Sequence, residues 1–105
     1  MPLPDDVLVV HTRVRAGAEE AFNDWYDHKH LPEIVGCPGF VRSTRFRHES
    51  ASGPLYLAIY ELDGPWALET PEFGARRGLE EFVDRVDISV RHFERLMTYD
   101  PETSQ

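Results

Sequence analysis

The chain has one cysteine, one lysine and no long apolar run in its 105 residues, and each scarcity removes a class of protein. A lone thiol, Cys37, closes no disulfide within the chain, so a disulfide-stapled secreted scaffold is excluded and a reducing cytoplasm is the expected location. The chain begins MPLPDD, acidic rather than basic, and no stretch after it is apolar enough to cross a bilayer. Neither a signal peptide nor a membrane span is expected. Cationic side chains are also scarce. Eleven Lys and Arg face nineteen Asp and Glu, for a net charge of -8 and a pI near 5.0. Such a surface repels phosphate backbones and anionic lipid, so neither nucleic acid nor membrane is an expected partner. There is no Gly-x-Ser-x-Gly, no P-loop and no Rossmann glycine run. Cys37 stands before Pro38 with no basic neighbour in sequence, and reads as an inert thiol.

What remains is enough to fold. Hydrophobic residues make up 41% of the chain, and its length sets one domain, 1–105. Residues 7–14, VLVVHTRV, are β-branched and read as a strand. Residues 18–31 read as a helix, with Ala18, Phe22, Trp25, Tyr26 and the stem of Lys29 on one face. Pro32 is expected to stop it, because the residue before a proline avoids the α region. A turn at Cys37-Pro38-Gly39 leads into a strand over 40–48, and a hairpin loop over 50–54 leads into another over 55–62. Residues 66–84 read as a helical region interrupted at Pro71 and loosened by Gly74 and Gly78. Residues 88–99 read as the last strand, and the tail from Pro101 as frayed.

The order is β-α-β-β-α-β. It predicts an α+β, ferredoxin-like fold: a four-stranded antiparallel sheet with helices on one face. Strand 55–62 is apolar on both faces, so the uncovered side needs a partner. A second copy of the chain, forming a dimeric α/β barrel, is the expected one.

The chemistry concentrates in residues 22–40, FNDWYDHKHLPEIVGCPGF. His30 is the leading candidate for catalysis, placed one turn after Tyr26 and two after Asn23 at the expected helix end. A helix C-terminus and nearby Asp27 would both favour its imidazolium. Imidazole near its ordinary pKa is the usual acid–base group at neutral pH. His28 falls on the polar side near Asp24. His28 and His30 diverge by about 200° on a helix, so no metal site is expected from them. His11 lies late in the first strand, in phase with Val7, Val9 and Arg13, and reaches the same site only if that face lines it. Tyr56 and Tyr60 share a face around Ala58, where two phenols could shape a pocket and donate to an oxyanion. Arg42 is read on one face with Phe40, Thr44 and Phe46, as a buried guanidinium able to hold a carboxylate or enolate. Arg45 and Arg47 fall on the other face, paired with acids. Phe22 and Trp25 are read as core or cavity wall. His92 is in phase with Glu94, and a salt bridge explains that pair.

Trp25-Tyr26 with His30-Leu31-Pro32-Glu33, then Pro38-Gly39-Phe40, then Tyr56-Leu57-Ala58 with Tyr60-Glu61 resemble the dimeric α/β-barrel superfamily, nearest its EthD-like and related small proteins. The resemblance covers residues 7–75 by motif and the rest by element order. It implies a homodimer. The superfamily it points to includes cofactor-free monooxygenases, polyketide cyclases, muconolactone-type isomerases and haem-binding members.

The leading functional expectation is a small enzyme that needs no cofactor and moves a proton next to a carbonyl of an apolar, cyclic or aromatic substrate. It would be an isomerase, cyclase or lyase. His30 would move the proton, with Tyr60, Tyr56, Arg42 or His11 as helpers, and Phe22, Trp25, Tyr26 and Asn23 bordering the substrate. A cofactor-free monooxygenase needs the same parts. A non-catalytic dimeric ligand-binding or accessory protein, and haem ligation through His30 or His11, are the other readings.

Overall fold

A computed structural model describes residues 3–102. Strand β1 runs Asp6–Val14, β2 Phe40–Ser50, β3 Gly53–Leu62 and β4 Val86–Glu94. They form one antiparallel sheet in the order β2-β3-β1-β4. Between β1 and β2 lies a continuous helical rod. It consists of α1 (Glu19–Trp25), a π-helical turn (Tyr26–His30) and α2 (Leu31–Val35). The rod packs on one face of the sheet. The fold is α+β and ferredoxin-like, as the element order predicts.

Alternation decides which strand residues meet the rod. Leu8, Val10, Val14, Tyr56, Ala58, Tyr60 and Leu62 point under it and are buried, together with Phe22, Tyr26 and Ile34 from the rod itself. Burying each large apolar side chain contributes about 1.5–3 kcal/mol, so this layer dominates the fold's stability. Phe22 is fully enclosed and meets Phe82 edge to face at 5.4 Å between ring centres.

The helix does not stop at Pro32. The rod runs on to Val35, and the π turn is the reason. A proline ring collides with the carbonyl four residues back and offers no N–H. The wider turn pairs residues five apart, with the Leu31 N–H donating to the Tyr26 carbonyl. That spacing leaves room for Pro32 in the first turn of α2.

The second helical region is shorter than its pattern suggests. Pro65–Glu69 is 3-10, α3 covers only Pro71–Arg76, and Glu80–Phe82 is a further 3-10 turn. Thr70 caps α3 by accepting from the Phe73 N–H at 3.2 Å, which suits Pro71 at the first helical position. Beyond it, Gly74 and Gly78 offer little to keep a helix going. Most of the space over β1 and β4 is therefore left uncovered by helix.

Two strands also differ from their pattern. The last strand spans Val86–Glu94 rather than 88–99. Arg95 instead reaches back to Asp5 and to the Leu3 carbonyl. In β2 a bulge falls between Phe40 and Arg42. It puts Phe40 on the helix face opposite Leu62, and sends Arg42 to the other face with Thr44 and Phe46. Of the tail expected to fray from Pro101, Pro101 and Glu102 form an exposed turn, and residues 103–105 lie outside the described residues. No helix of the described residues is long and apolar enough to cross a membrane.

Candidate active site

A cavity of ≈ 540 Å³ fills the space that the broken second helix leaves over the sheet. Leu8 and Val10 of β1, with Ile88 and Val90 of β4, form its floor. Ile34, Leu68, Phe73 and Leu79 close it from above and behind. Its polar contributions are few: Tyr26, His30, Tyr60, Arg77 and His92. An apolar hollow with a few converging polar groups is the usual form of a small-molecule site.

His30 reaches this cavity from the π turn. Its ring stacks on Trp25 at 4.7 Å between centres, with planes 25° apart, and meets the Tyr26 ring at 4.8 Å. Those contacts bury it to 7% exposure. Among the described residues neither ring nitrogen has a hydrogen-bond partner. The expectation of a helix-end imidazolium is therefore overturned. His30 sits inside the rod, and burial drives its pKa down to about 4, against a weaker opposing pull from Glu80. The ring is a neutral imidazole at neutral pH.

The wall behind His30 is tied to the rim. Trp25 donates its indole N–H to Glu80 at 3.1 Å, and Lys29 pairs with the same carboxylate at 2.9 Å. The Lys29 hydrogen bond comes first, then the Trp25 one, in holding Glu80 below its usual carboxylate range. Glu80 has a φ of 52°, in the left-handed region that side chains seldom adopt. The two hydrogen bonds offset that conformation and link the segment after α3 to the plane on which His30 stacks.

Tyr26 and Tyr60 enter the cavity as a pair, their hydroxyls 2.6 Å apart. Burial raises the pKa of each above a free phenol's. Both stay protonated; one hydroxyl donates to the other, which leaves the pair one proton free to donate. Arg45 lies behind them. Its guanidinium is 4.4 Å from the Tyr26 ring centre and 5.1 Å from that of Tyr56. It also donates to Asp27 at 2.7 Å and to Asn23 at 2.9 Å, while Asn23 donates to the Tyr56 hydroxyl at 3.0 Å. This network fixes the Tyr26 ring from its far side.

The residues singled out in the sequence separate into three groups. His30, Tyr26 and Tyr60 line the cavity together. Phe22, Trp25, Asn23 and Tyr56 stand behind it, as core, stacking plane and network. His11 and Arg42 lie on the opposite face of the sheet. His11 faces a shallow hollow beside Arg13 and Leu55. Arg42 is half-exposed and pairs with Glu61 at 2.7 Å, so it is not a buried guanidinium. Its apparent phase with Phe40 fails at the bulge. The same shift moves Arg45 to the helix side, although its pairing with an acid is as read. His28 is exposed and meets Asp24 at 3.1 Å.

Arg77, Glu80 and His92 are members of the site that pattern reading does not bring together. Arg77 and Glu80 fall in a stretch that reads as one helix. His92 hydrogen-bonds Asp6 at 2.8 Å rather than Glu94. Asp6 stands directly opposite Glu94 across the β1–β4 ladder, and the three residues hold their ligand atoms within 4.8 Å of one another. The His92–Asp6 bond separates two carboxylates that would otherwise face each other unscreened.

No family model and no curated protein sequence matches the chain. Solved structures do. SnoaB, a cofactor-independent oxygenase from Streptomyces nogalater, is 21% identical with a TM-score of 0.65, over 90% of this chain and 97% of that one. MhuD, a heme-degrader from Mycobacterium tuberculosis, is 18% identical with a TM-score of 0.64, over 90% and 99%. An EthD family protein from Bacillus halodurans is 19% identical with a TM-score of 0.58, over 82% and 96%. The likeness establishes the fold alone, α+β and ferredoxin-like.

Proposed function

We propose that this chain is a small enzyme, working without a cofactor, that transfers a proton next to a carbonyl of an apolar cyclic or aromatic compound. The observation that carries the reading is His30: a neutral imidazole with no hydrogen-bond partner among the described residues, at the wall of an apolar cavity. A base held neutral by burial keeps a free lone pair for substrate rather than for protein. His30 takes the proton from carbon. The electron pair moves onto the carbonyl oxygen, where the Tyr26–Tyr60 pair donates its one free hydroxyl proton to the enolate. The low basicity of the ring is offset as the charges form, because imidazolium and enolate then face each other in an apolar space. Isomerisation, cyclisation or a lyase step follows from how that enolate collapses.

A second reading draws on the likeness in fold to a cofactor-independent oxygenase. An enolate can reduce dioxygen itself, and the same residues would form it. The chain is further proposed to act as a homodimer in the cytoplasm, where its single buried thiol stays reduced.

The test uses 2-tetralone, a bicyclic ketone with acidic hydrogens beside its carbonyl. Catalysed exchange of those hydrogens in heavy water, followed by NMR, is the expected result. His30→Gln should slow it by about 10²–10⁴-fold with little change in melting temperature. Oxygen uptake with the same ketone would favour the oxygenase reading. Tight binding without exchange or oxygen uptake would leave a ligand-binding protein instead. A visible absorption band on adding haemin, lost in His30→Gln, would point to haem ligation.

A further inference from the structure

Within this cavity only one lining residue carries a permanent charge. Arg77 is that residue; the others are apolar, phenolic, imidazole or glycine. It follows α3 as its C-cap, so its backbone is set by a capped helix. Its guanidinium carbon lies 5.7 Å from the centre of the Phe73 ring. Phe73 is itself fixed, stacked on Phe40 at 5.2 Å. The ring gives the guanidinium an apolar surface to rest on, while the residue stays exposed at the cavity's edge.

Among the described residues the Arg77 side chain has no carboxylate partner. That alone decides nothing, because Arg13, Arg15, Arg76, Arg85 and Arg91 also have none. None of those five lines the cavity. Other arginines of this acidic chain are used structurally: Arg42, Arg45 and Arg95 pair with acids. With nineteen acids in the chain, an arginine left unpaired at an apolar hollow has its pairing capacity in reserve. A guanidinium presents a planar fork of donors that matches a carboxylate.

We propose that Arg77 binds a carboxylate of the ligand, so that the cavity selects apolar ring compounds bearing one carboxylate over their neutral counterparts. This rests on the cavity being the substrate site and narrows the substrate class. The ring body lies over Leu8, Val10 and Val90, and the carboxylate meets Arg77.

The test compares 2-naphthoate with 2-naphthamide, two probes of nearly equal shape that differ in charge. Affinity is measured by calorimetry in low salt, and the His30 ring signals in NMR report whether each probe enters the cavity. Naphthoate should bind about ten-fold more tightly than the amide, as expected for a charge-assisted, bidentate pair beside an apolar hollow. Arg77→Gln should remove that preference and leave the amide's affinity alone. Arg77→Lys should keep part of it, since it retains charge without the fork. Equal binding of the two probes to the native chain would overturn the inference and leave the cavity as a ligand site. A preference that survives Arg77→Gln would overturn it as well. If neither probe binds or shifts His30, both the inference and the reading of the cavity fail.

Discussion

The proposed chemistry depends on one ring, His30, being kept neutral. Burial lowers the pKa of His30 from 6.5 to about 4. Between those two values the unfolded chain takes up a proton at His30 and the folded chain does not. The stability attached to the neutral ring is therefore complete above pH 6.5 and is lost as pH falls toward about 4. Urea melts at about pH 7.5 and about pH 4.5 should show His30→Gln losing less stability than the native chain between the two. Parallel losses would mean that the imidazole is not desolvated. Activity should follow the same group. The acid limb of a rate profile is expected near pH 4, not near the 6.5 of an exposed histidine. The place of His30 beside a cavity, next to Tyr26, was legible in the sequence from its aromatic neighbours and spacing. Its charge state was not. That depends on Trp25 and Tyr26 closing over the ring, and on Glu80 arriving from a segment 50 residues away in the chain.

At the scale of elements, strand positions were legible because alternation of β-branched and polar residues has a period that only a half-covered strand satisfies. The exceptions each come from a single backbone event. Pro38 and Gly39 stand just before the bulge at Val41 and read as the turn alone, yet the bulge exchanges the faces of Arg42 and Arg45 and so decides which guanidinium backs the tyrosine pair. Pro32 looked like a stop, and the chain instead passes it through a π turn. That turn carries both Tyr26 and His30. A regular α-helix would rotate the residues after Trp25 differently against the sheet. Pro32→Ala restores an N–H and removes the ring clash, so the rod becomes free to adopt α geometry. The expected outcome is a melting temperature that does not fall, with weaker ligand binding and a changed His30 NMR shift as its stacking on Trp25 is lost. An unchanged shift and affinity would show that tertiary packing, not Pro32, holds the π turn. The broken second helix matters in the opposite way. Its prolines and glycines were visible, but only the folded chain shows that the gap they leave is the cavity.

The whole molecule is a slab, with principal extents of 51 × 37 × 19 Å. A thickness of 19 Å accommodates one sheet and one helical layer, so the second face of the sheet is bare. Its two central strands present Val7 and Val9 from β1 and Leu55, Leu57 and Ile59 from β3. Phe46 and Phe93 flank them, at 52% and 47% exposure. Rings that exposed beside a central apolar strip mark a face suited to covering by a partner. The charges on this face do not forbid a second copy. Arg42 is already neutralised by Glu61, which is buried at its side. His11 and Arg13 lie near the end of β1, away from Val7 and Val9. A matching face on another chain would cover the strip, and a stable pair needs about 800 Å² from each partner. Sedimentation at micromolar concentration should therefore give about twice the chain mass of 12.1 kDa. Ile59→Asp places a carboxylate in the middle of the strip and should shift the protein to monomer. Ala21→Asp, on the exposed side of α1, should not. Circular dichroism separates dissociation from unfolding, since the helix-side core is untouched by either change. A native chain that sediments as a folded monomer would remove the barrel assembly, while the cavity, built from one chain alone, would stand without it.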